Sequence, residues 1–284
     1  MKRYEKVMVK KKISFKILLY TLVALTCAFF FFPVFYLYME SLKPNIELFS
    51  SELSILPKNF SFEHYIEVFI LTNFFTYLKN SLLVTILTVV LTNIIAIFSS
   101  YAISRFRFFC RDILRNSILF AYMMPGIVLA IPLYLVFNQT PLFNTIFSLV
   151  IAYLAFTLPF SVWFLTAYFD SLPIEIEEAA LIDGASRTTI VLRIVLPIAL
   201  PGIVASSVYN FIVAWNDFTF ANVLVTLDSV KTLPVGMSLF MEQTQVNWGA
   251  LFATSSLASI PSIIFLLVSQ QGLIKGLSAG AVKR

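Results

Sequence analysis

The residues best placed to do specific work are Glu178-Ala179-Ala180-Leu181-Ile182-Asp183-Gly184, an acidic segment between long apolar runs. Glu178 and Asp183 offer carboxylates to basic or amide partners, and Ala179 and Ala180 would let another surface approach closely. The chemistry on offer is docking, with no bond made or broken. Local signals predict how the segment is built. Asp170 or Ser171 can cap a helix, Pro173 suits its first turn, and Glu175, Glu177 and Glu178 complement its positive end. Gly184 supplies a left-handed stop. Ser186 can then cap a second helix that continues through Thr188–Leu196, and nine residues separate Gly184 from Ile194-Val195-Leu196-Pro197. Helix logic alone also fits a solvated loop with well-capped helices.

A second constellation is Trp215-Asn216-Asp217-Phe218, with Tyr209 and Asn210 one to two turns earlier. Rings stack on sugar faces, while amides and carboxylates bond to hydroxyls, so this set suits a hydroxyl-rich ligand. An acidic residue near a membrane span is costly and marks function by default. The plain alternative puts Asp217 at the outer interface and Trp215 in an aromatic belt. A third feature is the C-terminal run Gln271-Gly272-Leu273-Ile274-Lys275-Gly276-Leu277-Ser278-Ala279-Gly280-Ala281-Val282-Lys283. Gly272, Gly276 and Gly280 form a small-xxx-small stripe that allows close helix packing, or simply a flexible tail.

The elements around these residues must be membrane spans. The 284 residues are 59% hydrophobic and 12% charged, against about half and a quarter in soluble domains. Stretches free of Asp, Glu, Lys and Arg run over 17–39, 80–104, 116–169, 194–216 and 243–274. The third would be about 80 Å as one helix, and a bilayer core is about 30 Å thick. It therefore holds two spans, with the turn at Asn138-Gln139-Thr140-Pro141, which makes six. Span two is expected over about 76–102, span five over about 199–225 and span six over about 249–273. Pro125, Pro132 and Pro159 predict kinks in spans three and four, and Pro261 lies in span six.

Charge sets the orientation. Alternating the sides puts sixteen of the twenty basic residues on one face and leaves Lys43, Lys58, Lys79 and Lys231 on the other. By the positive-inside rule both termini and the acidic segment are cytoplasmic. The basic residues are scattered among short loops, which excludes a nucleic-acid patch. The N-terminal apolar run is too long for a signal peptide and lacks a cleavage site, so it reads as a retained span. Cys27 and Cys110 are too far apart to pair and too few for a metal site. The lone His64, beside Glu63 and Glu67, reads as a solvated loop histidine. Phe60, Phe62, Tyr65, Phe69 and Phe74 suggest that the outer segment packs on the membrane surface. No glycine-rich phosphate loop is present.

The spacing Glu-Ala-Ala, three residues, Gly, nine residues, Ile-x-Leu-Pro resembles the EAA loop of ATP-binding-cassette importer permeases. The Trp-Asn-Asp-Phe sequence and the glycine-rich ending, in which Arg284 stands where Gly is typical, are similar to the carbohydrate-uptake branch, and to its smaller, maltose-type permease. The resemblance implies an all-α membrane protein with six transmembrane helices and the type I importer permease fold. It implies an N-terminal segment 1–16, a first span 17–39, an extracytoplasmic segment 40–75, a permease core 76–274 with the coupling loop at 170–197, and a cytoplasmic tail 275–284. Glu178, Ala179, Ala180, Asp183 and Gly184 would couple to the ATPase. Tyr209, Asn210, Trp215, Asn216 and Asp217 would line the translocation path, and Asp228, Lys231 and Gln243 would touch a binding protein. The chain itself would bind no cofactor; ATP and Mg would sit on the partner ATPase dimer. The other implied partners are a second homologous permease, an extracytoplasmic solute-binding protein and membrane lipid. The implied role is import of a di- or oligosaccharide at the plasma membrane, without catalysis by this chain. Alternatives are another cargo, such as an amino acid, a peptide or glycerol phosphate, or an ion-coupled secondary carrier, for which spans one to four and six offer no ionisable residues. A membrane scaffold without transport would have no use for an intact loop of this kind.

Overall fold

The computed structural model describes residues 2–50, 52, 54–241 and 246–281, with side chains from 15 to 272 among them. Helices carry these residues, and the extended backbone amounts to an isolated bridge between Met241 and Val246. In chain order the helices are α1 (Lys2–Ser41), α2 (Asn45–Leu48), α3 (Glu63–Leu71), α4 (Phe74–Arg105), α5 (Arg111–Met123), α6 (Gly126–Phe137) and α7 (Ile146–Asp170). They continue with α8 (Glu175–Ile182), α9 (Arg187–Ile190), α10 (Leu196–Trp215), α11 (Thr219–Leu224), α12 (Leu233–Met237) and α13 (Trp248–Ala281). A π-helical turn, Val191–Val195, joins α9 to α10.

Among the described residues, five helical stretches are long and apolar enough to cross a membrane: Phe15–Ser41, Phe74–Arg105, Ile146–Asp170, Arg187–Trp215 and Trp248–Gly272. The sixth expected span is not one helix. It is the pair α5 and α6, bent by 95°. Pro125 causes the break: it has no N–H to give and forces Met124 into extended backbone at ψ 130. Span five also departs from expectation, because α10 ends at Trp215 instead of near 225. Pro159 sits inside an unbroken α7. The wide turn before Leu196-Pro197 gives the ring room that a regular helix would deny it.

The helices divide into two compact units, one of residues up to 71 with 240–257, the other of 72–239 with the chain from 258 onwards. In the larger unit α4, α7 and α10 pack on one another. One apolar cluster gathers Val84, Leu149, Tyr153, Phe220 and Leu224, and a second gathers Tyr101, Leu165, Phe169, Ile190 and Val195. Between spans, where lipid competes with protein for apolar surface, polar pairs help to hold helices together. Thr92 bonds to Thr157 at 2.8 Å, and Ser161 donates to the Asn210 Oδ1 at 3.0 Å and accepts from Ser206 at 3.0 Å.

In the smaller unit Tyr65 bonds to Ser41 at 2.7 Å and to Ser256 at 2.9 Å. Lys43 and Glu40 form a buried ion pair at 2.6 Å. His64 is not solvated as expected: it is fully buried, with its Nε2 2.9 Å from the Lys43 carbonyl. Its neighbour in sequence, Glu63, is the exposed one, so the register of α3 decides which of the two faces water. Phe60, Phe62 and Phe69 are exposed, whereas Phe74 in the larger unit is buried. The apolar side chains of α1 from Phe15 to Phe32 are exposed, and a face this apolar is stable only against lipid or another apolar surface.

Gly202 of α10 lies against the Tyr168 ring of α7, where an added Cβ would come within 2.7 Å of ring carbon. Gly202→Ala is expected to lower the thermal midpoint of the purified protein. The clash costs about 1–3 kcal/mol, more than the roughly 1 kcal/mol that alanine gains in a helix. Gly126→Ala, whose Cβ would meet Phe220 at an ordinary 3.8 Å, should not lower it. An unchanged midpoint for Gly202→Ala would show that α7 and α10 do not pack this closely.

Candidate functional site

The acidic segment folds as α8, but its start differs from expectation. Ile174 precedes the helix and no side chain caps it. Asp170 instead ends α7, where its carboxylate accepts from the Ser104 hydroxyl at 2.6 Å and from Arg115 at 3.0 Å. Ser171 turns back to donate to the Tyr168 carbonyl. These residues serve the end of one helix because the turn between α7 and α8 is too long for them to reach the next. Pro173 likewise lies before the helix and not in its first turn, whereas the remaining local signals hold. Glu175, Glu177 and Glu178 occupy the first turn. Gly184 has φ +82, and the bonds Gly184 N–Leu181 O and Ala185 N–Ala180 O, both 3.0 Å, close the paired C-terminal motif that requires it. Ser186 caps the return helix through the Thr189 N–H.

This construction sorts the segment by face. Glu178, Ala179, Asp183 and Gly184 are exposed, and Ile182 is 87% exposed. Ala180 is not part of that surface, because it is buried in the cluster around Tyr101 and Phe169. The sequence marks Glu177 only as a complement to the helix dipole. In the structure it is buried and accepts from Arg105 Nε at 2.6 Å and from the Tyr101 hydroxyl at 2.7 Å. Arg105 also donates to the Leu172 carbonyl, and Arg187 lies over the Phe106 ring. The available signal was Arg105 at the end of a span, a buried-side cation in need of a carboxylate.

The second constellation is brought together only in part. After Trp215 the helix stops, and the Asp217 carboxylate accepts from the N–H groups of Phe220 and Ala221, which starts α11. A short acidic side chain that offers the backbone this alternative ends one helix and begins another. Tyr153 donates to the same carboxylate at 2.8 Å. Tyr209 and Asp217 line a cavity of about 320 Å³ together with Tyr122, Phe156, Thr219 and Phe220. Asn210 and Trp215 do not line it. Asn210 is fully buried with Ser161 and Ser206, and Trp215 is buried in a stack with Phe211 and Phe265. Asn216 is exposed and donates back to the Ile212 carbonyl. The expected path residues thus split between a cavity wall and the protein interior, since α10 turns successive residues to different faces.

Of the third set, Asp228 and Lys231 are bound within the chain. Asp228 accepts from Tyr77 at 2.7 Å, Asn73 at 2.6 Å and Lys231 at 3.1 Å, and the first two of these donors hold its carboxyl below the ordinary range. Asn80 donates to the carbonyls of Ser229 and Lys231, and the Leu233 N–H donates to Ser81. These residues fasten the 228–233 segment to the start of α4. Gln243 lies outside the described residues. In the last helix Gly272 does make the close approach expected of it, against Val204. The side chains of the rest of the glycine-rich run lie outside the described residues.

Comparison with known proteins adds the following. The family model described as "Binding-protein-dependent transport system inner membrane component" matches residues 92–278. The diacetylchitobiose uptake system permease protein DasC of Streptomyces coelicolor is 33% identical, over 89% of this chain and 91% of its own. The trehalose/maltose transport system permease protein MalG of Thermococcus litoralis is 37% identical, over 74% of this chain and 76% of its own. A chain of the crystal structure of a bacterial ABC transporter involved in the import of the acidic polysaccharide alginate superposes with a TM-score of 0.76 at 23% identity, covering 90% of this chain and 95% of its own, a likeness of fold.

The buried ion pair gives a direct test of what holds α8. Arg105→Met leaves the Glu177 carboxylate buried and unpaired, which costs about 3–5 kcal/mol, whereas Arg105→Met with Glu177→Met removes both charges and is close to neutral. Thermal unfolding of the purified variants is expected to show a large drop for the single change and recovery in the double. Equal drops in both would mean that the pair is not what seats α8.

Proposed function

Since this chain belongs to the family of binding-protein-dependent transport system inner membrane components, a multi-pass permease, we propose that it forms half of the translocation pathway of an ATP-driven importer for a di- or oligosaccharide. The observation that carries the coupling role is the exposed face of α8. Glu178, Ala179, Ile182 and Asp183 present carboxylates, a close-approach alanine and an apolar side chain, on a helix whose other face is locked by Glu177 and Ala180. That face docks on the ATPase dimer, which holds ATP and Mg. Gly184 keeps the helix short and aims the chain back toward the membrane.

The rest of the complex follows from the same reading. A second homologous permease completes the pathway, and an extracytoplasmic solute-binding protein delivers the cargo. Both termini and α8 are cytoplasmic, and the segments 42–74 and 226–246 are outside, in line with the sixteen-to-four division of basic residues. ATP closes the ATPase dimer, α8 moves with it, and the pathway opens outward; hydrolysis resets it. The sugar assignment is supported by relatives whose names specify sugars and by a ring-lined cavity that carries one carboxylate. An ion-coupled carrier would have no use for the docking face.

Glu178→Lys changes only an exposed side chain, so its effect on stability should stay within about 0.5 kcal/mol. We expect it, and Gly184→Asp, to leave the protein in the membrane while uptake falls by about tenfold or more, as for loss of an interface anchor. Uptake and co-purification with the ATPase subunit check this together. Normal uptake and normal assembly in both variants would remove the coupling role.

A further inference from the structure

We infer that His64 is a buried imidazolium that latches the smaller unit, and that release of its proton to the outer medium loosens α3 from its neighbours. The latch is a property of this unit alone; its contact with the outer medium rests on the importer reading above.

The ring is fully buried, and both of its nitrogens lie beside acceptors. Nε2 is 2.9 Å from the Lys43 carbonyl and 3.8 Å from the Glu63 Oε1. Nδ1 is 3.7 Å from the Glu67 Oε2 and has no hydrogen-bond partner among the described residues. A neutral imidazole carries one N–H. If Nε2 holds it, a bare Nδ1 sits beside a carboxylate. If Nδ1 holds it, the Nε2 lone pair meets a carbonyl at hydrogen-bond distance. Only a ring with both nitrogens protonated suits these neighbours.

Charge balance gives the same answer. A buried cation is stable when it is paired and hydrogen-bonded. Lys43 is taken by Glu40 and Lys58 by Glu52, so among the described residues His64 is the cation left for Glu63 and Glu67. Each of these carboxylates is tied to a different part of the unit. Glu63 accepts from the Asn45 N–H at 2.6 Å, on the link between α1 and α3. Glu67 accepts from the Asn247 side chain at 2.7 Å, just before α13. Gly249, in the first turn of α13, lies so close to the ring that an added Cβ would come within 2.1 Å of it. Asn247 and Gly249 carry no charge, and the Lys43 ammonium is held by Glu40, so Glu63 and Glu67 are the charged groups at the ring. Glu242 lies outside the described residues. While the ring keeps its proton, one cation serves two carboxylates and a carbonyl. Once the proton leaves, Nδ1 lies bare beside the Glu67 charge, and the stability that the pairing contributed is lost as the pH rises. Imidazole ordinarily changes charge between about pH 5 and 8, a range that an outer medium covers.

The chain has one histidine, so its ring can be observed directly. The full chain is labelled with 15N-histidine, purified without a histidine tag and placed in lipid nanodiscs. We expect 15N NMR to show two protonated ring nitrogens at about pH 6 and one at about pH 8. The thermal midpoint should fall by about 2–4 °C over the same change and hold level in His64→Gln. A ring that keeps the same number of protons at both pH values, or an equal fall in His64→Gln, overturns the latch; the NMR result decides even if that variant does not fold. Val68, fully buried one turn along α3, reports the loosening. With Cys27 and Cys110 replaced by Ser, Val68→Cys and the exposed Lys58→Cys are labelled in intact cells with an impermeant maleimide. The ratio of the first to the second should rise about tenfold as the outer pH is raised over the same range, the factor that matches a tenfold gain in proton affinity on closing. A constant ratio overturns the loosening of α3. Labelling of neither position overturns the outward placement in the importer reading, and leaves the latch to stand or fall by the NMR result.

Discussion

A carboxylate removed from water beside a membrane span must be met by a cation and by hydrogen bonds, or its helix will not stay where it is. Glu177 meets Arg105 and Tyr101, and through them α8 is fixed to the end of α4. Most of what this chain offers a partner depends on that attachment. The docking role proposed for the exposed face of α8 requires its buried face to be immobile, because a docking helix that slides transmits nothing. At 32 residues α4 is a rod of nearly 50 Å at 1.5 Å per residue. Its other end is fastened as well, with Tyr77, Asn80 and Ser81 bonded to the 228–233 segment. One stiff helix therefore gives both ends of the larger unit a common frame.

The same logic separates what could be read from the sequence from what could not. The glycine stop at Gly184 and the cap at Ser186 were legible because each is decided within five residues by backbone bonding. The spans were legible from charge-free length. Glu177 was not, because its role depends on a residue 72 positions away, and among three acidic residues in one turn nothing local marks the buried one. The break in the third span was expected as a kink only, since a proline signals loss of a bond and not the angle that neighbouring helices then impose. Span five was read as too long because Asp217 was treated as a charge near a span, when its first effect is to bond the backbone and end the helix. His64 differs for a similar reason: composition places a histidine among glutamates in water, but the turn of α3 places it inside.

The polar residues of the spans fall into two kinds. Asn210, Ser161, Ser206, Thr92 and Thr157 satisfy one another in the interior and serve assembly. Asp217, Tyr209 and Tyr122 border open space. Residue type does not distinguish them; only the rotation of α7 and α10 does. A permease needs both kinds: helices that hold together in lipid without a large hydrophobic gain, and a lining that offers hydroxyls and ring faces to a passing solute.

The central claim is that the exposed face of α8 meets the ATPase. The most direct measurement is site-specific cross-linking in native membranes, with Asp183→Cys placed in a background from which the exposed Cys27 and Cys110 have been removed by replacement with Ser. We expect a thiol-reactive benzophenone attached at position 183 to photo-cross-link to the ATPase subunit, and a membrane-impermeant maleimide added to intact cells to leave that position unmodified. Modification from outside, or the absence of any adduct with the ATPase in a complex that still transports, would contradict it.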